Sequence, residues 1–120
     1  EGHKVPWITG TSANNNNEIA NFIKKTKGSI GYTGYSHAVS RELAVVQLKN
    51  RDGNFVEAGS HSFQSAMEYS QWDANKGFNT SLTNQPGKDS WPITSATYIV
   101  IQKTQQSPSI AFSILSFFDW

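Results

Sequence analysis

Asn84-Gln-Pro-Gly-Lys-Asp-Ser-Trp-Pro-Ile-Thr-Ser-Ala-Thr-Tyr-Ile-Val-Ile-Gln102 joins a turn, a Trp-Pro step and a hydrophobic run in one order. After Pro92, residues Ile93 to Ile101 are rich in β-branched and aromatic side chains and nearly continuous in hydrophobicity at their end. That is the pattern of a strand covered on both faces, so this segment is expected at the centre of a sheet. Downstream, Ser107-Pro108 supplies an N-cap followed by proline at the first helical position. Ile110, Ala111, Ile114, Leu115 and Phe118 then form one apolar stripe of a helix.

Upstream, Ser70 to Ser90 is rich in Gln, Asn, Gly, Ser and Asp, with Trp72, Phe78 and Leu82 as its apolar anchors, which suits a surface connection. Ser62 is expected to cap a short helix over Phe63–Tyr69 whose buried face holds Phe63, Ala66 and Met67. Ala44–Leu48 and Asn54–Glu57 are two extended runs, and Asp52-Gly53 between them supplies the positive φ that a β-hairpin turn needs. Tyr35 to Leu43 reads as a helical turn and Ser29-Ile-Gly-Tyr32 as a short buried strand.

Nearest the start, Asn14 to Asn17 is a polar tract in which Asn17 is the expected N-cap of a helix running to Lys27. Ile19, Phe22 and Ile23 share a face there. Glu18 in the first turn and lysines in the last agree with the helix dipole, and Gly28 is the stop.

At 120 residues there is room for one modest core. Ten Lys+Arg stand against nine Asp+Glu, and apart from Lys24-Lys25-Thr26-Lys27 the basic residues are scattered, so nucleic acid is not an expected partner. The absence of cysteine excludes disulfides, thiol nucleophiles and Cys-based metal sites, and it permits an exported protein. No apolar run approaches the roughly 20 residues that span a bilayer.

The chemistry-bearing residues are sparse. His3, His37 and His61 lack any spacing that would place two ligands on one helical face, so structural or solvated histidine is preferred to a metal role. No Gly-x-Ser-x-Gly elbow is present, which argues against acyl transfer. The nearest thing to an anion cradle is Thr9-Gly10-Thr11-Ser12, where glycine lets backbone N–H groups converge and hydroxyls add donors. Five residues and the Asn tract separate Gly10, Thr11 and Ser12 from a helix start, and a plain turn is the competing reading. Trp7, Trp72, Trp91 and Trp120 are read mainly as packing groups, with stacking platforms for sugars as the alternative. Thr94-Ser-Ala-Thr97 carries hydroxyls expected to be paired within the strand.

Four stretches match in order the closing part of one family: Val5-Pro-Trp7, Gly28-Ser-Ile-Gly-Tyr-Thr-Gly-Tyr35, Asn84–Gln102 and Phe117-Phe-Asp-Trp120. On these the chain resembles the phosphate-binding receptors of ABC importers. The resemblance implies an α/β protein, part of a type II periplasmic-binding-protein (Venus-flytrap) fold, with incomplete sheets and flanking helices. Receptors of this family have two lobes and are more than twice as long, so the chain is expected to be a carboxy-terminal portion. Residues 1–70 would close the second lobe, 71–85 would connect the lobes, and 86–120 would return to the first.

In that family the anion is held by a Ser-Gly-Thr helix start, an Arg, an Asp and first-lobe loops. None has a counterpart here, so no phosphate ligand is carried over, and Arg41 and Arg51 are expected to be solvated. The resemblance implies a binder and not an enzyme, without cofactor or metal. It implies inorganic phosphate as ligand of the complete receptor, an ABC permease as partner and a periplasmic or extracellular location. Two part-lobes with open sheet edges are also expected to self-associate. The competing class is a small secreted carbohydrate-binding or adhesion module.

Overall fold

The computed structural model describes residues 9–119. Val5-Pro-Trp7, His3 and Trp120 lie outside them. Helix α1 spans Asn16–Lys25, two residues earlier than the Asn17 cap predicts. The cap is Asn15, whose side chain accepts from the Glu18 N–H, while Glu18 Oε2 accepts from the Asn14 N–H at 2.8 Å. This reciprocal arrangement selects one among four equivalent asparagines, because only Asn15 has a Glu three residues on. Helix α2 follows at Tyr35–Ser40, within the expected turn.

Between them the expected strand Ser29–Tyr32 does not form. Ile30 is 88% exposed and Tyr32 86%, and no described strand lies beside them. The sheet of the described residues is a single antiparallel pair, β1 (Leu48–Lys49) and β2 (Phe55–Val56), in the register Leu48↔Val56. The hairpin was expected and is shorter than its two hydrophobic runs, since residues 44–47 are outside the ladder. Gly53 turns it at φ +87°, a conformation that a Cβ would disfavour.

Helix α3 spans Ser60–Glu68 with Gly59 as its cap, so Ser62 is the third residue of the helix and not its cap. Its hydroxyl works backwards, accepting from the Gly59 N–H at 3.1 Å and donating to the Glu57 carbonyl at 2.7 Å. Of the expected buried face Ala66 is inaccessible and Phe63 half-buried, whereas Met67 is exposed. Phe63 meets the Tyr35 ring edge-on at 5.4 Å, which joins α3 to α2. A single 3-10 turn at Ala74–Lys76 interrupts the long polar connection, where only Leu82 of the three apolar anchors is buried.

The largest departure is at Ile93–Ile101. The segment forms no strand, and Ile93, Ile99 and Val100 are mostly exposed, Val100 at 89%. Its backbone makes no hydrogen bond to another described residue. The composition is that of a sheet centre, but a strand exists only where a second strand meets its N–H and C=O groups, and the described residues offer none. Helix α4 then forms at Pro108–Phe118, capped by Ser107 as expected. Its apolar stripe is not buried, and α4 packs on no other helix or strand comparably to α1 on α2. The Cα radius of gyration of 18.4 Å exceeds the roughly 14 Å of a compact chain this long, in keeping with these uncovered elements.

Candidate functional site

The tightest constellation of polar side chains is centred on Asn50, the first residue of the hairpin turn. Its Oδ1 accepts from the Asp52 and Asn54 N–H groups at 3.1 and 3.0 Å, the local bonding that makes Asn a turn former. Its amide faces the other way, donating to the carbonyls of Gly87 at 3.0 Å, Lys88 at 2.9 Å and Ser90 at 3.3 Å. Two amide hydrogens are thus shared among three acceptors. Asp52 returns the connection by accepting from the Gly87 N–H at 2.9 Å.

Other bonds complete this knot. The Trp91 N–H donates to the Ser62 carbonyl at 3.0 Å, and Ser65 and Ser90 share a hydroxyl–hydroxyl bond at 3.1 Å. Ser90 also donates to the Pro86 carbonyl at 2.6 Å. Asn50, Ser65, Ser90 and Trp91 are all buried, and no side-chain polar atom buried among the described residues lacks a partner. Gly87 sits at φ +109° under Tyr69, where a Cβ would fall 2.6 Å from the ring. The turn Pro86-Gly87 that the sequence announces is therefore clamped between the hairpin and α3.

Two open clefts flank the knot. One, of about 350 Å³, has Phe55, Glu57, Gly59, His61, Ser62 and Asp89 among its walls. His61 and Asp89 approach to 3.6 Å there, His61 largely solvated and Asp89 half-buried. The other, of about 510 Å³, is lined by Arg51, Tyr69, Gln71, Thr80, Ser81 and Gln85. Gln85 spends its amide on the Ser81 carbonyl, which leaves the exposed Arg51 guanidinium as the charged group of that cleft.

Gly10, Thr11 and Ser12 are exposed and lie ahead of α1. The structure does not bring them to either cleft or to the knot. The Glu18 N–H in the first turn of α1 is bonded to Asn15, and Glu18 itself places a carboxylate there. Arg41 is partly exposed but not free: its guanidinium donates to Asn21 Oδ1 at 2.9 Å and Asn17 Oδ1 at 3.0 Å, tying α2 to α1. His37 bonds the same Asn17 oxygen at 3.1 Å. No group of three His, Cys, Asp or Glu side chains suited to a metal ion occurs among the described residues. No described helix is long and apolar enough to cross a membrane.

No family model matches the chain. It is nevertheless similar from end to end to several phosphate-binding proteins. It is 38% identical over 120 residues to the Phosphate-binding protein PstS of Haemophilus influenzae, covering all of this chain and 36% of that protein. With the Phosphate-binding protein PstS of Pasteurella multocida it is again 38% identical over its full length, covering 35% of that protein. The chain therefore spans about a third of the length of these relatives, and the resemblance read from its motifs holds across the whole sequence. A putative serine/threonine-protein kinase/receptor of Acanthamoeba polyphaga mimivirus is 29% identical over 109 residues, a stretch that is 7% of that protein.

Proposed function

We propose that the chain is the carboxy-terminal portion of an exported receptor that binds inorganic phosphate and delivers it to an ABC permease. The observation that carries this reading is the 38% identity, sustained over every residue, to proteins named for phosphate binding. The complete receptor would have the two-lobed Venus-flytrap architecture and act in the periplasm or outside the cell, as a binder and not an enzyme. Residues up to about 70 would close the second lobe, 71–85 would connect, and 86–120 would return to the first.

In this role the chain is scaffold. The engagement of Arg41 by Asn17 and Asn21 supports that assignment, because a guanidinium already bonded on two sides is not held out to an oxyanion. Ile93–Ile101 has strand composition without a partner, which fits a segment that completes a sheet built elsewhere in the receptor. The relatives' names give no support to the carbohydrate-binding alternative.

Replacing the matching third of the Haemophilus influenzae protein by this chain tests the proposal. The chimera is expected to bind inorganic phosphate in calorimetry, whereas this chain alone should take up none at the same concentration. A chimera that folds by circular dichroism yet leaves phosphate unbound would overturn the receptor reading. Tight phosphate binding by the chain alone would overturn the scaffold role.

A further inference from the structure

We infer that Asp52-Gly53 is a site of spontaneous covalent modification, cyclisation to a succinimide and opening to isoaspartate, and that the knot around Asn50 holds it in the native linkage. The first ground is the sequence. Of the nine glycines only Gly53 follows an Asp or Asn. Cyclisation needs a main-chain nitrogen that can close on the preceding side chain, and a residue without Cβ obstructs that approach least. Asp52 and Gly53 are both exposed, so water and solvent base reach the pair.

The chemistry needs no other reactant. The Gly53 nitrogen, its proton passed to solvent, attacks Cγ of the protonated Asp52 carboxyl. A C–N bond forms, a C–O bond breaks, and the carboxyl oxygen leaves as water from a cyclic imide. Water then adds back at one of the two imide carbonyls. Opening at Cγ restores aspartate. Opening at the main-chain carbonyl leaves the chain running through Cβ and Cγ, one methylene longer, with the α-carboxylate as the side group.

The second ground is geometry, because both reacting groups are already engaged. The Gly53 N–H donates to the Asn50 carbonyl at 3.1 Å, and Asp52 Oδ2 accepts from the Gly87 N–H at 2.9 Å. Asn50 Oδ1 fixes the backbone between them by accepting from the Asp52 N–H at 3.1 Å. Cyclisation must turn the carboxyl away from Gly87 and take the Gly53 nitrogen from Asn50, so it waits for the knot to open. The Gly87 partner lies 35 positions away, which makes the protection tertiary; the same dipeptide in the unfolded chain lacks it. Once formed, isoaspartate lengthens the turn and displaces the carboxylate. Asn50 Oδ1 then no longer meets the N–H groups of residues 52 and 54 in the register Leu48↔Val56, and Gly87 loses its acceptor.

The inference is independent of the receptor reading, and its test reads chain linkage instead of phosphate. The whole chain is incubated folded and in guanidinium chloride at the same mildly acid pH, and peptide mapping that separates aspartyl from isoaspartyl peptides follows residue 52. The denatured chain is expected to accumulate isoaspartate at 52 ahead of Asp73 and Asp89, and the folded chain to do so about tenfold more slowly. Asn50→Ala should restore most of the denatured rate. Arg41→Ala, which cuts bonds between α2 and α1 and none in the turn, should leave the rate slow. Hydrogen exchange of the Gly87 N–H should be slow in the native chain and fast in the isomerised one. A denatured chain that keeps aspartate at 52, or a folded chain that reacts as fast as the denatured one, would overturn the proposal. So would an Asn50→Ala protein as slow as wild type, an Arg41→Ala protein as reactive as Asn50→Ala, or an isomerised chain whose Gly87 N–H stays protected.

Discussion

Residues 84–92 and 93–101 are neighbours in sequence and opposites in structure. The first stretch is polar and glycine-containing, yet it holds buried Gly87, Ser90 and Trp91 and is bonded to the hairpin by groups 35 to 40 positions away and to α3 through Ser62 and Ser65. The second is far more hydrophobic, and most of it faces water. Local hydrophobicity thus ranks the two stretches in the wrong order for burial. What separates them is the availability of partners: a buried backbone must find its hydrogen bonds, and only the first stretch does so among the described residues.

That contrast can be broken by mutation, and the knot should show the larger effects. Trp91→Ala removes the largest side chain buried among the described residues and should lower the unfolding free energy by about 4 kcal/mol in urea denaturation. A loss below about 1 kcal/mol would mean that the Trp-Pro step is not a core element. Asn50→Ala strips the Gly87, Lys88 and Ser90 carbonyls of their shared donor inside the protein, for a cost of about 3 kcal/mol by the same measurement. Full stability in that variant would show that water replaces the amide and that the knot is open.

Gly87→Ala meets both a left-handed backbone and the Tyr69 ring, and about 2 kcal/mol should be lost. Adding Tyr69→Ala to it should recover the part owed to the ring; no recovery would place the penalty in the backbone and in the Ser90 hydroxyl, which a Cβ would meet at 2.7 Å. Ile99→Thr should change stability by no more than about 0.5 kcal/mol. A large loss there would reveal burial of the second stretch and erase the contrast.

Much of the local structure was legible. Ser107-Pro108 starts α4, the Asp52-Gly53 turn makes the hairpin, and α1 and α2 fall close to where periodicity places them. The errors at helix starts were also local. Four asparagines in a row are interchangeable until Glu18 selects Asn15, and a serine near a helix start serves as well at the third position as at the cap. The candidate site was far less legible. Asn50 has the sequence signature of any turn asparagine, and nothing beside it points to Gly87 or Ser90. Gly10, Thr11 and Ser12 had the composition of an anion cradle, but composition does not bring donors together. Arg41 likewise carries no local sign of its bonds to Asn17 and Asn21, which come from another helix.

The caps, the turns, the helices and the similarity to phosphate-binding proteins follow from the order of residues, because each is written in residues a few positions apart or in ordered motifs. Tertiary structure alone decided that a polar loop is clamped and a hydrophobic run left bare. Both outcomes depend on hydrogen-bond partners distant in the chain, and a stretch of residues does not record whether its partner is present.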